Sequence, residues 1–150
     1  MFEEIRKLQT NMSKITAASV LNILINRNKF QDLIIRLNTE DQLFDKGVDS
    51  EGKSLGIYAE FTIKQKQKKG QPTAHVTLKD TDDFYGTWTV TTKDGDIFIE
   101  ADGDKDDKNL MDIYGEKIVG LLESNLQILL NEIETDTPEI VENLLLTGTA

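Results

Sequence analysis

The sequence predicts an α+β fold in which a small antiparallel β-sheet packs against N- and C-terminal helices. Three observations carry this expectation. Apolar residues recur at steps of three and four near the start of the chain, and the same pattern returns near its end. Between them lies a run of alternating residues interrupted by Asp94-Gly95. At 150 residues the chain suits one domain, 1–150. It divides into N-terminal helices over 3–45, a central loop and sheet over 47–103, and C-terminal helices over 108–146.

Residues 3–26 read as one helix, because Ile5, Leu8, Met12, Ile15, Ala18, Leu21 and Ile25 form a single stripe with Glu4, Lys7, Asn11 and Lys14 off it. After a break near Arg27-Asn28, a second apolar face follows in Phe30, Leu33, Ile34 and Leu37. Such a stripe suits a helix packed on one side, so a partner surface on this domain or on another copy is expected. The segment Gly47 to Gly56 holds three glycines with Asp and Ser between them and reads as a turn-rich loop. Residues 60–69 read as a short helix closing at Gly70, with Pro72 unable to extend it. His75 to Leu78 reads as a strand, since Val76 and Leu78 share a face.

The hairpin at 87–101 is the clearest β signal. Trp88, Val90 and Thr92 alternate with Thr87, Thr89 and Thr91, while Ile97, Ile99 and Ala101 alternate with Phe98 and Glu100. Asp94-Gly95 between them tolerates the positive φ angles of a tight turn. Trp88 is expected to be buried against a terminal helix, with the threonines on the wet face. Further on, Ser124 and Gln127 form a capping-box pattern ahead of Leu126, Leu129, Leu130 and Ile133. Thr137-Pro138-Glu139 then reads as the start of a new helix with Ile140, Val141, Leu144 and Leu145 on its apolar face.

Composition excludes several classes. Dense periodic runs of Leu, Ile, Val and Phe argue against disorder. With no cysteine, the chain has no disulfide, thiolate nucleophile, iron–sulfur cluster or sulfur-based zinc site. The longest apolar stretch, Ile118 to Leu122, is far shorter than the roughly 20 residues a membrane span needs. The opening MFEEIRK carries acids at once and lacks the basic-then-apolar order of a signal peptide.

Charge is unevenly placed within a net −10. Phe61 to Asp80 holds Lys64, Lys66, Lys68, Lys69 and Lys79 against one acid, whereas Lys93 to Lys108 holds seven acids against three lysines. No basic residue follows Lys117, but six acids do. Runs of like charge are ordinarily a solvated face. The sharper reading is a subunit interface in a head-to-tail ring, in which Lys64, Lys66, Lys68 and Lys69 of one copy meet Asp102, Asp104, Asp106 and Asp107 of the next. Direct sequence-specific binding to nucleic acid is not expected. The overall field repels phosphate, and no aromatic is interleaved with the lysines to stack a base.

A search for chemistry finds no constellation, so no catalytic residue, cofactor or metal site is expected. His75 is the only histidine and has no motif partners for a triad. A calcium loop starting at Asp102 has oxygens at its first, third and fifth positions, but Asp107 stands where glycine is required and Ile113 where glutamate is. Gly52, Gly56 and Gly70 lack the spacing and the Lys-Ser/Thr pair of a phosphate loop.

One further pattern spans roughly residues 37–130. The segment Val76-Thr-Leu-Lys-Asp-Thr-Asp-Asp-Phe-Tyr, followed by Trp88-Thr-Val, resembles the L-x-x-TG-x-L/F-x-x-S signature of tailed-phage virion-morphogenesis and tail-completion proteins, the small neck proteins of the head–tail joint. Gly47 to Tyr58, Gly70-Gln-Pro72, Asp106 to Leu110 and Tyr114-Gly115 follow in the order seen in such proteins from phages and prophages of Bacteroidetes-type hosts. Asp82 stands where that pattern favours glycine, and Gly86-Thr87 where serine is usual. The resemblance implies a structural virion protein, assembled in the host cytoplasm. Its partners would be its own copies in a ring and the neighbouring head–tail joint or tail proteins, with no membrane and no catalytic residue. The alternative expectation is a small acidic phage-encoded adaptor or inhibitor in the host cytoplasm, mimicking nucleic acid through its charge.

Overall fold

The computed structural model describes residues 1–150 and is α+β. Six helices, α1 (Phe2–Ser13), α2 (Ala17–Ile25), α3 (Asn28–Arg36), α4 (Glu60–Lys68), α5 (Leu110–Tyr114) and α6 (Glu123–Thr147), surround a hairpin of β1 (Thr89–Lys93) and β2 (Asp96–Glu100). A second, two-residue ladder pairs β3 (Asp104–Lys105) with β4 (Lys108–Asn109). A π-helical segment, Leu37–Lys46, continues directly from α3. No helix is long and apolar enough to cross a membrane.

The first predicted helix is two. Thr16 caps α2: its Oγ1 accepts from the Ser19 amide at 3.0 Å while Ser19 Oγ accepts from the Thr16 amide at 2.9 Å. This reciprocal cap holds Thr16 in extended backbone and ends α1 at Ser13 in the middle of the apolar stripe. The hairpin forms as expected, with Thr89 opposite Glu100 and Lys93 opposite Asp96. Its turn residues Asp94 and Gly95 have φ of 52° and 87°, the doubly positive pattern that matches strand twist.

Two further expectations fail for physical reasons. His75 to Leu78 is not a strand. The Val76 amide donates to the Gly56 carbonyl at 2.9 Å, and side chains take both backbone groups of Thr77: Tyr58 Oη accepts from its amide at 2.9 Å, and Tyr85 Oη donates to its carbonyl. Leu78 itself has a φ of 56°, which breaks extension. At the other end, α6 neither starts with a capping box nor restarts at Pro138. Its N-cap is Leu122, without a side-chain cap, and the helix runs unbroken to Thr147. Pro138 is exposed, so its ring and the carbonyl it frees face solvent, while Leu129, Ile140 and Leu144 keep both halves of α6 on one core.

The interior consists of two apolar clusters. The larger joins Leu24, Ile25, Phe30, Ile34, Val90, Leu129 and Ile140; the inner face of the hairpin packs on α2 and α3, and α6 closes the same cluster against those helices. The smaller joins Leu43, Phe84, Trp88 and Ile118. Trp88 is buried as expected, edge-on to Phe84 at 5.6 Å and clustered with Leu43 of the π-helical continuation of α3, with Ile118 completing the cluster. Thr89 and Thr91 face water, whereas Thr87 is half-buried and accepts from the Asp102 amide at 3.0 Å.

Candidate functional site

The two oppositely charged runs meet within one copy. A cleft of about 450 Å³ is lined by residues of α4, of the β3–β4 turn and of α5, together with Val76, Leu78, Lys79 and Asp80. Lys66, Lys69, Asp106 and Asp107 all line it, together with Lys105, Lys108 and the rings of Tyr58 and Tyr114. Lys64, Lys68, Asp102 and Asp104 do not.

Each of these side chains has a distinct environment. Lys66, expected on the surface, is only 6% exposed. Its Nζ donates to the Lys79 carbonyl at 2.8 Å and to Gln71 Oε1 at 3.2 Å, and sits 4.8 Å from the centre of the Tyr58 ring. These contacts satisfy the ammonium and tie the 71–79 segment to α4, so Lys66 is a strut of the fold and not an interface charge. Lys64 and Lys68 are exposed and unpaired. Lys69 pairs with Asp80 at 2.9 Å, and Lys105 approaches the other Asp80 oxygen at 3.6 Å. The Lys69 hydrogen bond, helped by Gln71 and Lys105, outweighs partial burial and holds the Asp80 carboxyl down to about 2. Asp80 thus clasps α4 to the β3–β4 hairpin.

On the acidic side, Asp102 Oδ1 accepts from the Asp104 amide at 2.9 Å, and Asp104 Oδ1 accepts from Asn109 Nδ2 at 2.6 Å. Both carboxylates therefore serve the hairpin's own shape. Asp106, with a φ of 54°, and Asp107 form its exposed tip. His75 Nε2 donates to the Phe44 carbonyl at 2.7 Å beneath Gly47.

Sequence reasoning missed a polar clamp. Asn38 and Gln42, one π-helical turn apart and fully buried, grip the extended segment after Ile118. Asn38 donates to the Ile118 carbonyl at 3.2 Å and accepts from the Gly120 amide at 2.7 Å. Gln42 donates to the Gly120 carbonyl at 2.9 Å and accepts from the Leu122 amide at 2.7 Å. Two amides four residues apart in an otherwise apolar helix face are the signal that marks it. Asn125 adds a bond from Nδ2 to the Leu37 carbonyl at 2.8 Å.

The second exceptional surface is α1. Its apolar stripe points outward: Phe2 is 80% exposed, Ile5 47%, Leu8 43% and Met12 56%. The one buried residue of this helix is polar, Asn11, whose Nδ2 donates to the Leu145 carbonyl at 2.9 Å. Ile5 and Leu8 form an open groove with Leu145 and Leu146 at the end of α6, with Glu4, Lys7 and Asn11 along its edge. The chain thus carries two separate surfaces, a charged cleft and a groove beside α1, built from different residues. No family model, curated protein or solved structure matches this chain.

Proposed function

We propose that this chain is a structural protein of the tailed-phage head–tail joint, a neck or tail-completion component that works by assembly with its own copies and its neighbours and not by catalysis. The observation that carries this reading is the outward apolar stripe of α1. A helix that turns its isoleucine, leucine and methionine to water and its asparagine inward has its natural cover outside the domain. The motif order from Gly47 to Gly115 supplies the setting through its resemblance to phage neck proteins.

Of the eight candidate interface residues, Lys64, Lys68 and the hairpin-tip Asp106 and Asp107 are the ones whose side chains have no internal partner, and we assign the charged contribution to a ring contact to them. The adaptor alternative loses support from α6. Glu132 and Asp136 bond to Lys29 at 3.1 and 2.8 Å, and Glu139 to Arg27 at 3.5 Å, so half of the acids on this helix are neutralised within the chain and only Glu123, Glu134 and Glu142 stand unpaired.

Mass spectrometry of purified particles tests the proposal. The protein is expected as a stoichiometric virion component, and its loss should leave heads and tails unjoined. Its absence from particles that are otherwise complete and infectious would remove the reading.

A further inference from the structure

We infer that two copies of this chain pair through α1, with Met1, Ile5, Leu8 and Met12 of one copy lying antiparallel on the same residues of the other. The pairing goes beyond the virion reading, because it holds for the free protein whether or not it enters a particle.

The spacing of the outward residues identifies a helix as the occupant. Met1, Ile5, Leu8 and Met12 fall at steps of four, three and four, the narrow seam of a coiled coil. A helix packed on the core of its own domain shows a broader stripe. Here the residue that does face the domain is Asn11, off that seam.

Area and charge select a second copy as the source of that helix. With Phe2 and Leu146 at its edges, the seam exposes on the order of 600–700 Å² of apolar side chain, close to the roughly 800 Å² that each partner buries in a stable interface. Gln9 and Ser13 border the seam without charge on one side; on the other, Glu4 and Lys7 line the groove beside Ile5 and Leu8 with opposite signs, while Arg6 and Lys14 lie farther round the helix, so no block of like charge faces its copy across the seam. Antiparallel order also separates the Glu3-Glu4 pairs of the two copies and opposes their helix dipoles, whereas parallel order stacks both at one end. In this register Ile5 meets Leu8 of the other copy, and Met1 meets its Met12. Such a contact closes at two copies. It uses none of the residues of the charged cleft, which stays available to any contact that extends the assembly.

Sedimentation velocity of the full chain at about 100 μM is expected to show a dimer that persists from low to high salt, since its contact is apolar. Leu8→Glu should weaken pairing by at least about 100-fold while leaving the circular dichroism unchanged and the urea midpoint unchanged at concentrations low enough for both proteins to be monomeric, because Leu8 lies outside both core clusters. Should Leu8→Glu disturb folding, Ile5→Cys and Leu8→Cys provide an independent arm, since the chain has no other cysteine. When the two variants are mixed and oxidised, the disulfide should join one of each in preference to two of the same. A monomeric wild-type protein at this concentration overturns the inference, as does a dimer unaffected by Leu8→Glu or a mixture with no preference for the mixed disulfide. A monomer whose α1 is protected only inside purified particles also overturns self-pairing, in favour of a virion partner, and leaves the virion reading standing. A dimer that never enters particles does the reverse.

Discussion

Replacing Gln42 by methionine keeps an unbranched side chain of similar length and removes both of its hydrogen-bonding ends. The Gly120 carbonyl then loses its donor at 2.9 Å and the Leu122 amide its acceptor at 2.7 Å. A neutral hydrogen bond contributes about 1 kcal/mol net, and a buried backbone group left unpaired costs about 1–3 kcal/mol. Both backbone partners are partly buried, so water recovers some of this, and the expected loss is about 2–4 kcal/mol. For a domain of this size that lowers Tm by roughly 5–15 °C. Urea unfolding followed by the fluorescence of buried Trp88 measures it, with far-UV circular dichroism as the second probe. Asn38→Ala made alone and with Gln42→Met should reveal a coupling of at least about 0.5 kcal/mol, because both side chains hold Gly120. A loss under about 0.5 kcal/mol, with strictly additive variants, would refute the idea that these amides hold the 118–122 segment in place.

Other outcomes follow from the same structure. Lys66→Glu should destabilise the fold by more than about 3 kcal/mol, since it sets a carboxylate against the Lys79 carbonyl and Gln71 Oε1. Lys64→Glu with Lys68→Glu should stay within about 0.5 kcal/mol of the parent in urea melts, so this pair, and not the full set of four lysines, is the clean test of a charged contact. Gly47→Ala drives a Cβ into the His75 ring at a φ of 62°, and should cost upwards of about 2 kcal/mol. Adding His75→Ala should recover the steric share and leave the backbone cost of about 1–2 kcal/mol, which thermal melts of the three variants can separate. Because Lys69 above all holds the folded-state pKa of Asp80 down to about 2, below an unfolded value near 3.9, its stabilisation is full above about pH 4 and disappears as pH falls toward 2. Asp80→Asn should therefore flatten the acid limb of the stability curve, and an unchanged limb would remove the clasp.

The elements set by local rules were legible in the sequence. α3, α4 and the hairpin follow from periodicity, a glycine end and an Asp-Gly turn, each contained within a few residues. What was not legible depends on partners far along the chain. The extended segment at 76–78 carries a plausible strand pattern, but Tyr58 and Tyr85 claim its backbone before another strand can. Lys66 sits in a run of surface lysines and is distinguished only by the fold that closes over it. Pro138 reads as a helix start from its neighbours, yet continuous packing on both sides of it carries α6 through. For the candidate site, charge segregation was readable. That the opposing runs line one cleft in the same copy was not, because α4 and the β3–β4 turn are brought together by the intervening loop and Asp80. The α1 stripe was readable as well; its outward direction was hidden by the Thr16–Ser19 cap, which breaks the helix and lets its first half turn away.

The division of the interior has a consequence for how the molecule opens. The two apolar clusters touch through a narrow waist, with Ile35 and Ile99 the partly buried residues that pack against both. A weak waist permits cooperative opening of one lobe while the other stays closed. The smaller lobe has four fully committed apolar residues against ten in the larger, and single side-chain bonds, such as those of Tyr58 and Tyr85 to Thr77, help tie its loops together. Amide protons from Thr77 to Trp88 should therefore exchange with solvent by partial opening, well before those of α2, α3 and the middle of α6, which are released only by global unfolding. The lobe that opens first is the one bearing the charged cleft. Its shape is thus set by a local equilibrium, while the helical lobe carrying α1 behaves as a fixed frame.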